Sequence, residues 1–244
     1  MRKRLHFADQ TPLRVLFIGN SYTYYNEIWT VLEGIARADG REVITDHVTK
    51  GGWTLEKMAS LDDEFGLQAH KKLTDPQTHY DVVFLQEQSL RPAIAPELFF
   101  AAVRSLCQKS KAKGAEVVLY QTWGRKTGSL QLEEHGMTNE SMTRLLAKSY
   151  EAAADECETA LSPVGTAFYN VYTNHPEIEL YNSDQSHPSA VGTYLAALCH
   201  YATIYQTTSV GNVYSVEGLD ADAIRILQQA AHDAVFGKSI LDSL

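Results

Sequence analysis

Five short strand-like runs, separated by helix-like segments, constrain the fold of this chain more than any other feature of its 244 residues. In residues 80–85 (YDVVFL) every side chain after Asp81 is apolar, which is typical of a central strand buried on both faces. Strands that alternate with helices predict a parallel sheet covered by helices on both sides. The predicted strands are residues 14–18, 42–48, 80–85, 116–120 and 161–164.

The segments between these runs show the apolar spacing of helices. Residues 28–39 (IWTVLEGIARAD) are one example, and residues 55–73 are predicted as a single helix with a looser middle around Gly66. The polar residues 126–139 are long enough to be an insertion that faces substrate. The other predicted helices are residues 97–113, 142–157, 188–206 and 221–236.

The composition favours one compact domain and argues against several classes of partner. Hydrophobic residues make up 44% of the chain, enough for one substantial core, so we expect a single domain over residues 1–244. The net charge of -9 argues against nucleic acid, because the basic residues cluster only at positions 2–4. No apolar stretch is long enough to cross a bilayer, so we expect no membrane partner and a cytoplasmic location. The alternative location is outside the cytoplasm, for an exported form whose leader has been removed.

No metal or cofactor is expected. Cys107, Cys157 and Cys199 lie far apart without Cys-x-x-Cys spacing, and we interpret them as buried thiols. The sequence has no Gly-x-x-x-x-Gly-Lys loop, no dinucleotide-binding glycine fingerprint and no His-Glu-x-x-His. The obvious nucleotide-binding and zinc-dependent functions are therefore disfavoured.

Polar groups follow each of the first four predicted strands: Ser21, Gly52, Gln88 and Arg125. Because the crevice of an open parallel sheet lies outside the carboxyl ends of its strands, we expect these groups to share one crevice. Gly19 permits a sharp bend that places Ser21 where a helix begins, beside unpaired backbone N–H groups. Such a position favours developing negative charge.

Asp184 and His187, far along the chain, extend this set toward acyl transfer. Their spacing lets the carboxylate reach the ring Nδ1–H while Nε2 faces Ser21. Acyl transfer needs a nucleophile, a base, a group that orients the base, and donors for the oxyanion. Each residue also has an ordinary explanation, as a helix N-cap or a surface histidine, and it is the combination that favours catalysis.

Four sequence blocks, in this order across about residues 14–206, resemble the SGNH hydrolases, also called the GDSL-like family, of serine esterases and lipases. The blocks are Gly19-Asn20-Ser21, Gly52-Trp53-Thr54, Gln86-Glu87-Gln88-Ser89 and Asp184-Gln185-Ser186-His187-Pro188. The resemblance implies a three-layer α/β/α flavodoxin-like sandwich with a five-stranded parallel sheet in the order 2-1-3-4-5. It also implies an esterase mechanism with Ser21 as nucleophile, His187 as general base and Asp184 as its orienting group.

The same resemblance implies an oxyanion hole. Its first two donors are the backbone N–H groups of Ser21 and Gly52. In the family the third donor is an Asn side chain, where this sequence has Gln88, one methylene longer. Gln86 is the alternative third donor.

Aromatic residues beside these blocks suggest the substrate class, since aromatic faces at a crevice suit sugar rings and acyl chains. Relatives with a Gly-Gly-aromatic second block and Gln for Asn are similar to carbohydrate O-acetyl esterases, so we expect removal of acetyl groups from a sugar or polysaccharide. The alternatives are a lipase or thioesterase-type acyl hydrolase and a non-catalytic carbohydrate-binding domain. The candidate substrate contacts, any of which has packing as its alternative role, are Tyr22, Tyr24, Tyr25, Trp53 and Trp123.

Arg125 is the one cation among the candidate substrate contacts, and two roles fit it. It is placed to meet an anionic substrate, or to pair with Glu133 or Glu134 on the same insertion. The pairing is the favoured role, because surface charges of opposite sign close in sequence commonly form such pairs.

Overall fold

A five-stranded, all-parallel sheet forms the centre of the computed structural model, which describes residues 3–7 and 11–242. Its strand order is 2-1-3-4-5, and helices flank the sheet. The α/β fold class and the strand order are confirmed. The strands are β1 (Leu13–Gly19), β2 (Val43–Thr49), β3 (Val82–Leu85), β4 (Glu116–Tyr120) and β5 (Ala160–Ser162).

The continuous apolar runs are explained by burial of both faces of the sheet. In β1, Val15 and Phe17 lie in one hydrophobic core, whereas Leu16 and Ile18 lie in the other. Successive side chains of a strand point to opposite faces, so a strand between two helical layers needs apolar residues at every position.

Two groups of helices cover the sheet, one on each face. On the first face lie α2 (Ile28–Ala38), α9 (Val164–Asn174), α10 (Ala190–Tyr205) and α11 (Ala221–Phe236). On the second face lie α3 (Leu55–Ala59), α4 (Glu64–Thr74), α6 (Pro96–Ala112) and α8 (Asn139–Glu156). Single-turn helices are α1 (Ser21–Tyr24), α5 (Arg91–Ile94) and α7 (Leu130–Glu134), with 3-10 turns at Tyr25–Glu27 and Ile240–Asp242.

The prediction of one helix over residues 55–73 with a loose middle at Gly66 is wrong. The chain breaks after α3, where Ser60 is extended, and Asp63 then caps α4 by accepting from the N–H groups of Phe65 and Gly66. Gly66 lies inside α4, where a Cβ would be 1.9 Å from the Ser60 carbonyl oxygen. The glycine is therefore needed for close packing against the end of α3.

The sequence prediction missed the helix α9, which begins directly after the short strand β5.

None of the helices in the described ranges combines the length and the apolar character that crossing a bilayer requires.

Candidate active site

The turn that follows β1 places the Ser21 side chain at the carboxyl edge of the sheet. Asn20 is the N-cap of α1, and Ser21 is the first residue of that helix. A Cβ on Gly19 would lie 2.5 Å from Thr23 Oγ1 and 2.6 Å from Gln86 Oε1. Only glycine fits there, so the tight packing beneath the turn fixes the direction in which the chain leaves β1.

The structure brings Ser21, His187 and Asp184 together. The distance from His187 Nε2 to Ser21 Oγ is 2.8 Å, and His187 Nδ1 is hydrogen-bonded to Asp184 Oδ2. Asp184 Oδ1 accepts from the backbone N–H groups of Ser186 at 3.0 Å and His187 at 2.9 Å. The hydroxyl and the imidazole, widely separated in sequence, thus lie within one hydrogen-bonded array.

The hydrogen bonds to Asp184 keep its carboxylate ionised. Burial acts to raise its pKa, but the hydrogen bonds from the His187 ring and from the backbone N–H groups of His187 and Ser186 hold the pKa below its ordinary value. An ionised carboxylate accepts from Nδ1–H and so leaves Nε2 of a neutral His187 free to accept from the Ser21 hydroxyl. This is the tautomer that a general base needs.

Two tyrosines from the segment after Ser21 hold the His187 ring. Tyr25 stacks on it with ring centroids 4.2 Å apart, and Tyr22 meets it edge-on at 5.4 Å. The Tyr22 hydroxyl lies 2.5 Å from Ser186 Oγ, and its side chain is buried. Tyr22 is therefore a packing residue that also anchors the loop carrying His187.

The prediction that Trp123 contacts substrate is wrong. Its side chain is 0% exposed and is stacked between Tyr22, at 4.6 Å, and Phe168, at 4.1 Å. Its indole Nε1–H donates to the Ser186 carbonyl oxygen at 3.0 Å. Trp123 instead supports the loop that carries Asp184 and His187 from below.

Trp53 follows Gly52 in the turn after β2, and other residues of the chain hold its partly buried ring. Its Nε1–H donates to both carboxylate oxygens of Asp63, and Lys57 Nζ lies 4.2 Å from its ring centroid. Its carbonyl oxygen accepts from Asn20 Nδ2 at 2.9 Å. Asn20, which belongs to the first sequence block and caps α1, thereby ties the turn that carries Gly52 to the turn that carries Ser21.

The two backbone N–H groups predicted as oxyanion donors are not engaged in protein hydrogen bonds among the described residues. Within the described part of the chain, neither the Ser21 N–H nor the Gly52 N–H has a protein acceptor. Gly52 has a φ of 73°, in the left-handed region that favours glycine, and no atom would lie within 4 Å of an added Cβ. This turn is open on the side where the extra atom would project.

The two glutamines considered as third donor have different environments. Gln86 is buried, with Oε1 accepting from Asn20 N–H and the Thr23 hydroxyl, both at 2.8 Å, and Nε2 donating to the Glu87 carbonyl. These bonds engage both ends of its amide in structural contacts, which disfavours Gln86 as the alternative donor. Gln88 is half-buried and caps α5 through Oε1, while its Nε2 makes only a 3.4 Å contact with Ser89 Oγ. Its role as donor stays a prediction.

Glu87 joins the segment that follows Gly52 to the loop after β3. Its Oε1 accepts from the N–H groups of Leu55, at 3.0 Å, and Gln88, at 2.6 Å, while its buried Oε2 has no hydrogen-bond partner among the described residues. Burial raises the pKa of Glu87 to about 7. A buried carboxyl with one unpaired oxygen is thus part of the support for both loops.

The expected pairing of Arg125 with Glu133 or Glu134 is wrong. Arg125 is half-buried, and its Nη2 donates to Ser89 Oγ at 2.9 Å. Glu133 and Glu134 lie exposed, and no ion pair joins either of them to Arg125. The guanidinium turns toward the loop after β3 instead of toward its own insertion.

Comparison with known proteins gives structural matches. The chain matches no protein-family model, and no curated protein matches it in sequence. Two of the similar structures are below 25% identity and show a likeness of fold. A DUF4886 family protein from Bacteroides uniformis shares 21% identity with a TM-score of 0.79, covering 95% of this chain and 99% of that one. An acetylxylan esterase from Geobacillus stearothermophilus shares 14% identity with a TM-score of 0.60, covering 81% and 96%.

A third match is similar enough in sequence to place the chain in a family. It is a protein assigned to the SGNH hydrolases, from Slackia heliotrinireducens, with 30% identity and a TM-score of 0.70. The match covers 80% of this chain and 100% of that one. The strand order matches the one that this resemblance implied. With a relative of this identity matched over its whole length, the chain belongs to the SGNH hydrolases.

Proposed function

We propose that this protein is a serine esterase that removes small acyl groups, chiefly acetyl, from a carbohydrate. The observation that carries the proposal is the 2.8 Å contact between His187 Nε2 and Ser21 Oγ, with Asp184 on the other ring nitrogen. Nucleophile, base and orienting group then stand in the order that acyl transfer requires.

In the proposed first half-reaction, Ser21 Oγ attacks the ester carbonyl carbon while His187 Nε2 takes the hydroxyl proton. The carbonyl oxygen becomes an oxyanion that the N–H groups of Ser21 and Gly52 stabilise, since both lack another acceptor among the described residues. Collapse of this intermediate breaks the ester C–O bond, and His187 gives its proton to the leaving alkoxide. The products are a free alcohol and an acyl group on Ser21.

In the second half-reaction water replaces the alcohol. His187 takes a proton from the water as it attacks the acyl carbon, and returns that proton to Ser21 Oγ when the carboxylic acid leaves. Asp184 stays ionised throughout and stabilises the imidazolium that forms twice in each cycle. No metal or cofactor takes part in the proposal.

The choice of acetyl on a carbohydrate has two supports. Tyr24, at 36% exposed, and the partly buried Tyr25 and Trp53 offer ring surface near the Ser21 and Gly52 turns, which suits a sugar. One of the similar structures is an acetylxylan esterase, which acts on an acetylated carbohydrate. Lipase or thioesterase activity is the alternative for the acyl group, and carbohydrate binding without chemistry is the alternative for the function.

The test compares wild type with Ser21→Ala on p-nitrophenyl acetate and on acetylated sugars. We expect turnover by wild type, and a loss of at least about a thousandfold in kcat in the variant. The melting temperature should change little, because the substitution removes one hydroxyl from a side chain at the crevice. Turnover retained by Ser21→Ala would refute the mechanism, whereas glycan binding without turnover by wild type would indicate a binding domain.

A further inference from the structure

Arg125, in the loop after β4, lacks the carboxylate partner that comparable arginines have among the described residues. Within residues 3–7 and 11–242, four arginines are partly buried, and all except Arg125 contact a carboxylate. This is unexpected in a chain with 30 acidic and 21 basic residues. The three pairs are Arg41 with Asp39, Arg91 with Glu56, and Arg144 with Glu140.

Few of the hydrogen-bond donors of the Arg125 guanidinium find an acceptor among the described residues. Nη2 donates to Ser89 Oγ at 2.9 Å, while Nε is shut off from solvent and has no acceptor among the described residues. An arginine stays charged at any ordinary pH. A partly desolvated charge without a counter-ion is unfavourable, so the site is better satisfied when an anion supplies the missing charge.

Hydrogen bonds from the Asn139 side chain hold the backbone at Arg125 in place. Asn139, at the start of α8, donates through Nδ2 to the carbonyl oxygens of Gly124 at 3.0 Å and Arg125 at 2.9 Å. A Cβ on Gly124 would lie 2.4 Å from the Asn139 carbonyl oxygen, so the two segments are tightly packed. A cation on such a fixed backbone is preorganised for recognition.

Arg125 is also close to the catalytic groups. Burial raises the pKa of the Tyr22 hydroxyl, and the positive charge of Arg125 acts on the same hydroxyl in the opposite direction. The Tyr22 ring in turn lies 5.4 Å from the His187 ring. β4, which leads to Arg125, is separated from β1, which leads to Ser21, by β3 alone, so their ends are about 10 Å apart. One sugar unit with its substituents can bridge that separation.

We propose that Arg125 binds a carboxylate of the substrate, so that the preferred substrates are acyl esters of acidic sugars such as uronic acids. This rests on the proposed esterase function and narrows its substrate class. A guanidinium donates two parallel hydrogen bonds to a planar carboxylate, and a single cation balances a single negative charge. The neighbouring Lys126 is already paired with Glu179, so it is not the cation expected to recognise the anion.

The test uses a matched pair of substrates, an O-acetylated methyl glucuronoside and its uncharged carboxamide. For each, kcat/KM for acetate release is measured with wild type and Arg125→Gln. We expect wild type to prefer the acid by at least about tenfold, and Arg125→Gln to reduce that ratio to about one. Arg91→Gln is the control, because it also removes the positive charge of a partly buried arginine, but one that is already paired with Glu56. This variant should keep the wild-type ratio of kcat/KM values.

A wild type without a preference for the acid, or an Arg125→Gln variant that keeps the preference, overturns the proposal. If thermal melting shows that Arg125→Gln is unfolded, Arg125→Lys takes its place. It keeps the charge but loses the paired donors, and it should lower the ratio by at least about threefold.

A binding measurement separates this proposal from the esterase function. Calorimetry with Ser21→Ala compares methyl glucuronoside with its carboxamide, neither of which carries an ester. Tighter binding of the acid, lost in the Ser21→Ala/Arg125→Gln double variant, supports the carboxylate site even if wild type hydrolyses no ester at all. Equal binding of the two ligands overturns the carboxylate site and leaves the esterase function to be judged by turnover of p-nitrophenyl acetate.

Discussion

The pH dependence of stability should change when Glu87 is replaced by Gln. Glu87 is 0% exposed, and burial raises its pKa from an ordinary value of 4.5 to about 7. Glutamine keeps the oxygen that accepts from the N–H groups of Leu55 and Gln88, and its uncharged amide resembles the protonated carboxyl. The variant therefore removes the titration and keeps most of the contacts.

The direction in which stability changes with pH follows from how many protons Glu87 binds in the folded and in the unfolded state. Below about pH 4.5 the carboxyl is protonated in both states, so it contributes no pH dependence. Between about pH 4.5 and 7 the unfolded chain releases its proton while the folded protein retains it, so wild type loses stability as the pH rises. The pKa values of Glu87 in the unfolded and folded states differ by about 2.5. At 1.36 kcal/mol per pKa unit, the free energy of unfolding falls by about 3 kcal/mol in total.

Urea unfolding at about pH 5 and about pH 8 measures this difference. We expect the stability of Glu87→Gln relative to wild type to increase by about 2–3 kcal/mol between the two pH values. Glu97→Gln, which removes an exposed carboxylate from the first turn of α6, is the control and should show no comparable change. A constant difference between Glu87→Gln and wild type would refute the view that the folded protein holds this carboxyl protonated.

Three other substitutions test the site and its support. Asp184→Asn should lower kcat for p-nitrophenyl acetate by about 10⁴-fold, because an uncharged amide that can donate to Nδ1 no longer holds His187 in the tautomer that a general base needs; a loss below tenfold would contradict this. Gly19→Ala should cost about 1–3 kcal/mol in urea unfolding, since its Cβ would lie 2.5 Å from Thr23 Oγ1, and an unchanged free energy of unfolding would contradict that packing. Trp123→Phe should lower the melting temperature through loss of the bond to Ser186 without raising KM; a raised KM at unchanged melting temperature would restore Trp123 as a substrate contact.

The sheet was predictable from sequence because four of its five strands are buried along most of their length. β4 begins and ends as predicted, and the other strands lie within about two residues of their predicted bounds. The helix α9 was missed because its sequence, VGTAFYNVYTN, is rich in β-branched and aromatic residues that favour strands in isolation. Packing against the sheet, α10 and α11 overrides that preference.

The missed helix also explains the error at Trp123. One face of the indole is covered by Phe168, which belongs to α9. Without that helix, an aromatic residue after a strand is naturally interpreted as lining the crevice. The error at Arg125 has a similar cause, since its actual contact, Ser89, is distant in sequence, whereas Glu133 and Glu134 are near.

The chemical residues of the site were predictable because their spacing carries the signal, and the supporting residues were not. Gly19-Asn20-Ser21 and the block from Asp184 to His187 indicate acyl transfer as a combination. No such spacing links Asn20 to Trp53, or Glu87 to Leu55, because these contacts depend on how two loops approach each other. The catalytic role of each residue stays a prediction until it is measured.

The most direct test of the account is to locate the covalent adduct formed by a fluorophosphonate, which reacts with a serine only when a neighbouring base activates it. After labelling, the protein is digested and the modified peptide is identified by mass spectrometry. The account predicts a single adduct on Ser21, strongly reduced in His187→Ala. An unlabelled protein, or an adduct on another residue while Ser21 stays free, would contradict it.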